Sequence, residues 1–188
     1  MEKRSRVFLV LFLFFLSVYG AIAYYATTNK RSQPFLGFGI YSGQGTLSAY
    51  TGPGSTVYVN QTYHWKFNIT NEIGTTQFVQ IITRLGNNTT VGPNSTSPAT
   101  LQVLGNFTLF VANKNSTLQS FDWNVTRVTS SGGLNYLTLG INGSAVDSML
   151  GTVPGDQFRL YFELWTFNTE LGSFQYYTWL QIGFTVVS

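Results

Sequence analysis

Cysteine is absent from the 188 residues. The chain therefore has no disulfide, no thiol nucleophile and no cysteine-based metal site. Charge is scarce too: Asp, Glu, Lys and Arg supply 9% of the residues, against about 25% in an average globular protein. That excludes a coiled coil, a charged disordered tail and a typical nucleic-acid binder. The net charge of +3 does not alter this. Lys3, Arg4 and Arg6 lie in the first six positions, and from Tyr24 onward seven basic residues face six acidic ones. No basic patch is left to neutralise a run of phosphates.

The same scarcity limits catalysis. His64 is the only histidine, so a nucleophile triad or a zinc site has almost nothing to draw on. Its strand register, shared with Thr62 and Lys66, points it outward. The carboxylates Glu72, Asp122, Asp147, Asp156, Glu163 and Glu170 form no recognisable glycosidase pair. Glu163 stands among aromatics, and Arg159 or Arg127 is its expected partner. Asn142, Asp147 and Asp156 lack the oxygen spacing of a calcium loop. Gly37 and Gly39 open no helix, so they make no phosphate loop. We read no catalytic, cofactor-binding or metal-binding residue, and the chain is expected not to be an enzyme.

What is abundant is apolar and hydroxylated. After the basic start, Val7 to Ala26 runs uncharged for twenty residues, enough to span a bilayer as a helix. The positive flank places the remainder outside. Ala21-Ile22-Ala23 fits a small-x-small cleavage site, so residues 1–26 are expected to be a signal peptide or an uncleaved membrane anchor. Residues 27–188 are then an exported domain at the cell surface. Its expected partners are the membrane, at least transiently, through the N-terminal segment, then other copies or other surface proteins, and glycans.

Nine N-x-[ST] sequons occur, at Asn60, Asn68, Asn87, Asn88, Asn94, Asn106, Asn115, Asn124 and Asn142. The 14 Asn, 16 Ser and 24 Thr residues would give about three by chance, so the excess reads as an N-glycosylated exterior. Strand periodicity agrees. In Asn68-Ile69-Thr70, Asn106-Phe107-Thr108 and Asn124-Val125-Thr126 the middle residue joins an aromatic register while the acceptor takes the other face.

Strands are expected near Leu36–Tyr41, Thr56–Val59, Tyr63–Thr70, Gln77–Leu85, Leu101–Leu104, Phe107–Val111, Leu118–Val128, Leu134–Ile141, Gln157–Phe167 and Phe174–Val187. The turn signals Thr51-Gly-Pro-Gly54, Asn71-Glu-Ile-Gly74, Ser130-Ser-Gly-Gly133 and Asn142-Gly143 separate several of them. The pattern is that of an all-β, Ig-like antiparallel β-sandwich behind one N-terminal hydrophobic helix. Gly86 to Thr100 reads as a polar loop. The last two strands are apolar on both faces, which fits central strands covered by loops. Alternatively Trp165 and Trp179 offer an aromatic contact surface, and the domain is then a carbohydrate-binding module. Leu36, Phe38 and Ile40 alternate with glycine behind Pro34. They form either the domain's own first strand or a strand donated to a neighbouring subunit.

Asn71-Glu-Ile-Gly74, the late strand Phe158-Arg-Leu-Tyr-Phe-Glu-Leu-Trp165 and the closing Phe174 to Trp179 strand resemble the archaeal DUF1616-type extracytoplasmic domains over residues 40 to 187. That resemblance implies a membrane-associated Ig-like module, although this chain has a single apolar N-terminal segment. The combination of export signal, cysteine-free sandwich and dense sequons is also similar to subunits of archaeal surface filaments linked by strand donation. Neither resemblance implies a catalytic residue.

Overall fold

The computed structural model describes residues 2–28, 34–46, 50–51 and 55–187, with side chains left aside for 2–11 and 26–28. The expected turn at Thr51-Gly-Pro-Gly54 falls largely outside them. One helix, α1 (Glu2–Thr28), precedes ten strands: β1 (Leu36–Tyr41), β2 (Thr56–Tyr58), β3 (Thr62–Asn71), β4 (Gln77–Asn87), β5 (Val103–Val111), β6 (Asn115–Ser131), β7 (Leu134–Ile141), β8 (Ser144–Asp147), β9 (Phe158–Asn168) and β10 (Ser173–Val187). Contacts divide the chain into residues 1–34 and 35–188. Among the described residues no helix is long and apolar enough to cross a membrane. Residues 7–11 and 26 of the expected span lie outside the described side chains.

The strands form two five-stranded sheets, ordered β1-β3-β6-β7-β8 and β2-β10-β9-β4-β5. Only β2 runs parallel to its neighbour β10; the other paired strands are antiparallel. The order is Ig-like. β3, β4, β9 and β10 take the places of strands B, C, F and G, β5 extends the second sheet beside β4, and β6 lies next to β3 as E lies next to B. β7 and β8 continue the first sheet outward as a meander.

The core is aromatic. Alternation in β3 buries Tyr63, Trp65, Phe67 and Ile69, and alternation in β6 buries Phe121, Trp123 and Val125. Phe67 stacks on Phe121 with centroids 4.3 Å apart and planes 9° from parallel. Trp65 meets Trp123 at 4.9 Å. Phe162 of β9 closes on Phe67 at 5.4 Å and on Trp65 at 6.1 Å, and Phe184 of β10 closes on Trp123 at 5.4 Å. Each such ring contributes about 1.5–3 kcal/mol by burial, and favourable ring geometry adds about 0.5–1.5 kcal/mol per pair.

Polar clasps hold the ends. Asn71 is fully buried. Its amide donates to the carbonyls of Thr75 and Val111, both at 2.8 Å, and its side-chain oxygen accepts from the Ile73 N–H. The motif read as a turn is therefore also a tie between the β3–β4 and β5–β6 connections. At β1 the Leu36 N–H donates to the Tyr177 hydroxyl at 3.1 Å, which joins the edge of one sheet to β10 of the other.

Two substitutions test this account of the core. Phe67→Ala should lower unfolding free energy by about 3–5 kcal/mol, while Phe110→Ala, a residue that is 69% exposed and packs on one ring only, should lower it by no more than about 1.5 kcal/mol. Urea melts of both variants check this, and equal losses would contradict it. Thr83 is fully buried, and its hydroxyl has no partner among the described residues. An unmade buried hydrogen bond costs about 1–3 kcal/mol, so Thr83→Val should raise the melting temperature, and a lowered one would count against that reading.

Candidate functional site

The outer face of the second sheet differs from ordinary solvent-facing sheet. Its register places four residues in each transverse row from β5 to β10: Thr108, Gln80, Trp165 and Tyr176 in one row, Asn106, Ile82, Glu163 and Trp179 in the next. A strap formed by residues 88–102 crosses part of this face. Gly92 lies against the Tyr161 ring, where a Cβ would come within 2.8 Å of it. The Ala99 N–H donates to Glu163 Oε1 at 2.6 Å, and the Tyr176 hydroxyl donates to the Asn94 carbonyl at 2.7 Å. Tyr161 and Glu163 are consequently buried on a face that would otherwise meet water. The apolar character of both faces of β9 is explained by this cover.

Beneath the strap lies an ion pair. Glu163 is 0% exposed and accepts from Arg84 Nε at 3.0 Å. Arg84 also donates to the Leu101 carbonyl, and Trp165 Nε1 donates to Glu163 at 3.3 Å. The expected partners Arg159 and Arg127 are engaged elsewhere: Arg159 donates to Asn88, and Arg127 lies 3.5 Å from Asp147. Strand β4, brought beside β9 by long-range pairing, supplies the cation instead. Desolvation, with the Glu163 charge second, pushes the Tyr176 hydroxyl up to about 12.

Breaking a buried pair leaves one charge unpartnered, so Glu163→Gln should lose about 3–5 kcal/mol of stability. The Arg84→Met, Glu163→Leu double variant should lose less than the two singles summed. Urea titrations decide this, and strict additivity would contradict it. Tyr176 also gives a pH signature. Its folded pKa lies above its ordinary value of 10.0. Its contribution is therefore intact below pH 10 and is lost as pH rises from 10 toward 12. Melts across that range should fall more steeply for the parent than for Tyr176→Phe, and parallel curves would refute the assignment.

Beyond the strap an uncovered row of rings crosses the sheet. Phe110 of β5 stacks on Phe78 of β4 at 4.5 Å, Phe78 meets Phe174 of β10 at 5.2 Å and Phe167 of β9 at 6.0 Å, and Phe167 meets Phe174 at 5.3 Å. Sequence reasoning did not single out these four phenylalanines. Period-2 alternation in β5 does put Phe110 outward with Asn106 and Thr108, but the other three come together only through strand order. Trp165 and Trp179 share the same outer face, and both are half-buried. Trp165 packs on Tyr176 at 5.6 Å and Trp179 on Tyr161 at 6.2 Å.

The outer face of the first sheet is polar by comparison. Here His64 Nδ1 and Asp122 Oδ1 lie 2.7 Å apart, both largely exposed. Ser42, one of the hydroxyls lining a hollow of about 330 Å³ that His64 also lines, is hydrogen-bonded to Thr46. No group of three His, Asp or Glu side chains able to hold a metal occurs among the described residues.

Of the sequon asparagines, Asn60, Asn88, Asn94, Asn106, Asn115 and Asn142 are exposed, and Asn68 and Asn124 are half-buried. Asn87 corrects the sequence reading. It is 7% exposed, and its amide nitrogen donates to the Gly151 carbonyl at 3.0 Å. The atom a glycan would occupy is thus enclosed in the fold. Leu36 and Ile40 of β1 are buried in the chain's own core, Phe38 packs against it, and β1 pairs with β3 along its length. Gly39 faces open space, with no heavy atom close to where a Cβ would stand.

No family model matches the chain, and no curated protein matches it. Among solved structures it is similar to the CARDB domain of a Pyrococcus furiosus protein in complex with di-metal ions, at 12% identity and a TM-score of 0.42, over 85% of this chain and 97% of that one. It is similar to a β-glucosidase from Erythrobacter marinus at 7% identity and a TM-score of 0.43, and to one from Listeria innocua at 10% and 0.39. In both it covers 82% of this chain but only 16% of the glucosidase. At these scores the likenesses carry no argument about activity or ligand.

Proposed function

We infer that the chain is a non-enzymatic, N-glycosylated β-sandwich protein of the cell exterior with a structural or adhesive role. The observation that carries this reading is the distribution of the sequons: eight of the nine acceptor asparagines are exposed or half-exposed. Four of these lie in turns and loops, and Asn68, Asn106, Asn115 and Asn124 lie on strands whose opposite register packs toward the core. The low charge fits the same reading, since attached sugars supply the hydration that few ionised side chains provide. Folded-domain geometry supports occupancy at Asn106 and at the half-exposed Asn68 and Asn124, and argues against Asn87. Glycopeptide mass spectrometry of native material should find sugar on most of the first three and none on Asn87. Bare asparagine at all eight surface sequons would overturn the proposal.

A carbohydrate-binding module is the second reading, favoured by the aromatic outer face that holds Trp165 and Trp179. Affinity electrophoresis against soluble polysaccharides separates the two. Retardation of the parent but not of a Phe110→Ala, Trp165→Ala variant would support binding.

A further inference from the structure

A sandwich that is not closed into a barrel has four edge strands, and each exposes backbone groups able to pair with another chain. Here the outermost strands are β1 and β8 in the first sheet and β2 and β5 in the second; among the described strands, residues 173–184 of β10 also lack a neighbour on the β2 side, and residues 115–122 of β6 lack one on the side away from β3. Proteins ordinarily guard such edges with charge, proline, bulges or brevity. β2 has three residues and β8 has four, with Asp147 at its end, so both are guarded by brevity. β5 is nine residues long, Val103–Val111, with neither a charged residue nor a proline. Its bulge near Gly105 is its only ordinary device. Val103 is 47% exposed and Phe110 69%. By composition this is the kind of segment that stacks with copies of itself.

The middle of that strand carries the sequon Asn106-Phe107-Thr108. Asn106 and Thr108 are exposed on the outer face, and Phe107 packs against the core. An incoming strand would lie about 4.7–4.9 Å from β5. A glycan on Asn106 stands at that margin and is far wider than the gap. The other uncharged edge, β1, carries no sequon of its own; its Gly39 lies opposite Asn68 of β3, one strand inward. Sequons also adjoin the short edges: Asn60 lies just beyond β2, and Asn142 precedes β8.

We propose that the glycan on Asn106 guards the β5 edge, and that without it two copies of this chain join β5 to β5 in one continuous sheet. The proposal rests on the glycoprotein reading above and adds a function to one of its sites. Sugar takes the place of the charged residues that this composition lacks.

The test uses the full chain made in an N-glycosylating host, with glycopeptide mapping and sedimentation of each variant. Asn106→Gln removes the sugar and leaves the edge bare. Thr108→Lys also removes the sequon but places a charge on the same outer face. Asn124→Gln removes a sugar from β6 where that strand lies between β3 and β7. The expected result is a shift to dimer and larger species for Asn106→Gln, with new hydrogen-exchange protection in residues 103–111. Thr108→Lys and Asn124→Gln should sediment like the parent. Unchanged melting temperatures establish that all three fold. An Asn106→Gln chain as monomeric as a parent that does carry sugar at Asn106 overturns the proposal and leaves the glycoprotein reading standing. Sugar on other sequons but not on Asn106 does the same. Sugar on none overturns both.

Discussion

Ring-on-ring packing between the two sheets is the interaction on which the rest depends. Phe162 reaches Phe67 and Trp65, and Phe184 reaches Trp123. These rings close a core that no disulfide can reinforce. Buried aromatics provide large apolar area with few rotatable bonds, so their ordering cost is modest for the area removed from water. The chain devotes 16% of its residues to Phe, Trp and Tyr and uses the inward positions of β3, β6, β9 and β10 to hold many of them. The clasp at Asn71 and the Tyr177 contact with Leu36 then fix the ends of sheets already in register.

Such economy in charge has consequences outside the core. Where the chain does bury a carboxylate, at Glu163, it supplies Arg84, the Ala99 N–H and the Trp165 indole together, because an unpaired ion there would be costly. The strap that carries Ala99 also covers Tyr161, so one segment both satisfies the ion and removes an aromatic from water. Elsewhere the surface has few ions to keep copies apart. The phenylalanine row on the second sheet and the bare edges of β1 and β5 are left to other means, and hydroxyl-rich sequons are what the sequence places beside them.

The fold was largely readable in the chain, for physical reasons. Alternating apolar residues reproduce β1 and β7 at the expected boundaries, and the outward course of Asn68, Asn106 and Asn124 follows from the same period. Reading failed where pairing is long-range or alternation is weak. Gly105-Asn106 looked like a break between two strands, yet β5 runs through it. A Cβ at Gly105 would come within 3.2 Å of Ile141, so the glycine serves packing, not a turn. β8 was missed because Ser144–Asp147 is short and polar. Arg84, the parallel seating of β2 on β10 and the four-phenylalanine row depend on which strands become neighbours, and no local pattern specifies that. Asn87 shows the complementary limit. A sequon is a local motif, but its access depends on Gly151, 64 residues away.

If the inter-sheet rings make the sandwich one cooperative unit, native-state hydrogen exchange tests it most directly. The slowest amides of β3 and β6 in one sheet and of β4 and β9 in the other should exchange through a single global opening, with the same free energy and the same dependence on denaturant. Core strands of one sheet that exchange through a separate, lower-energy opening, while the other sheet stays protected, would contradict the account.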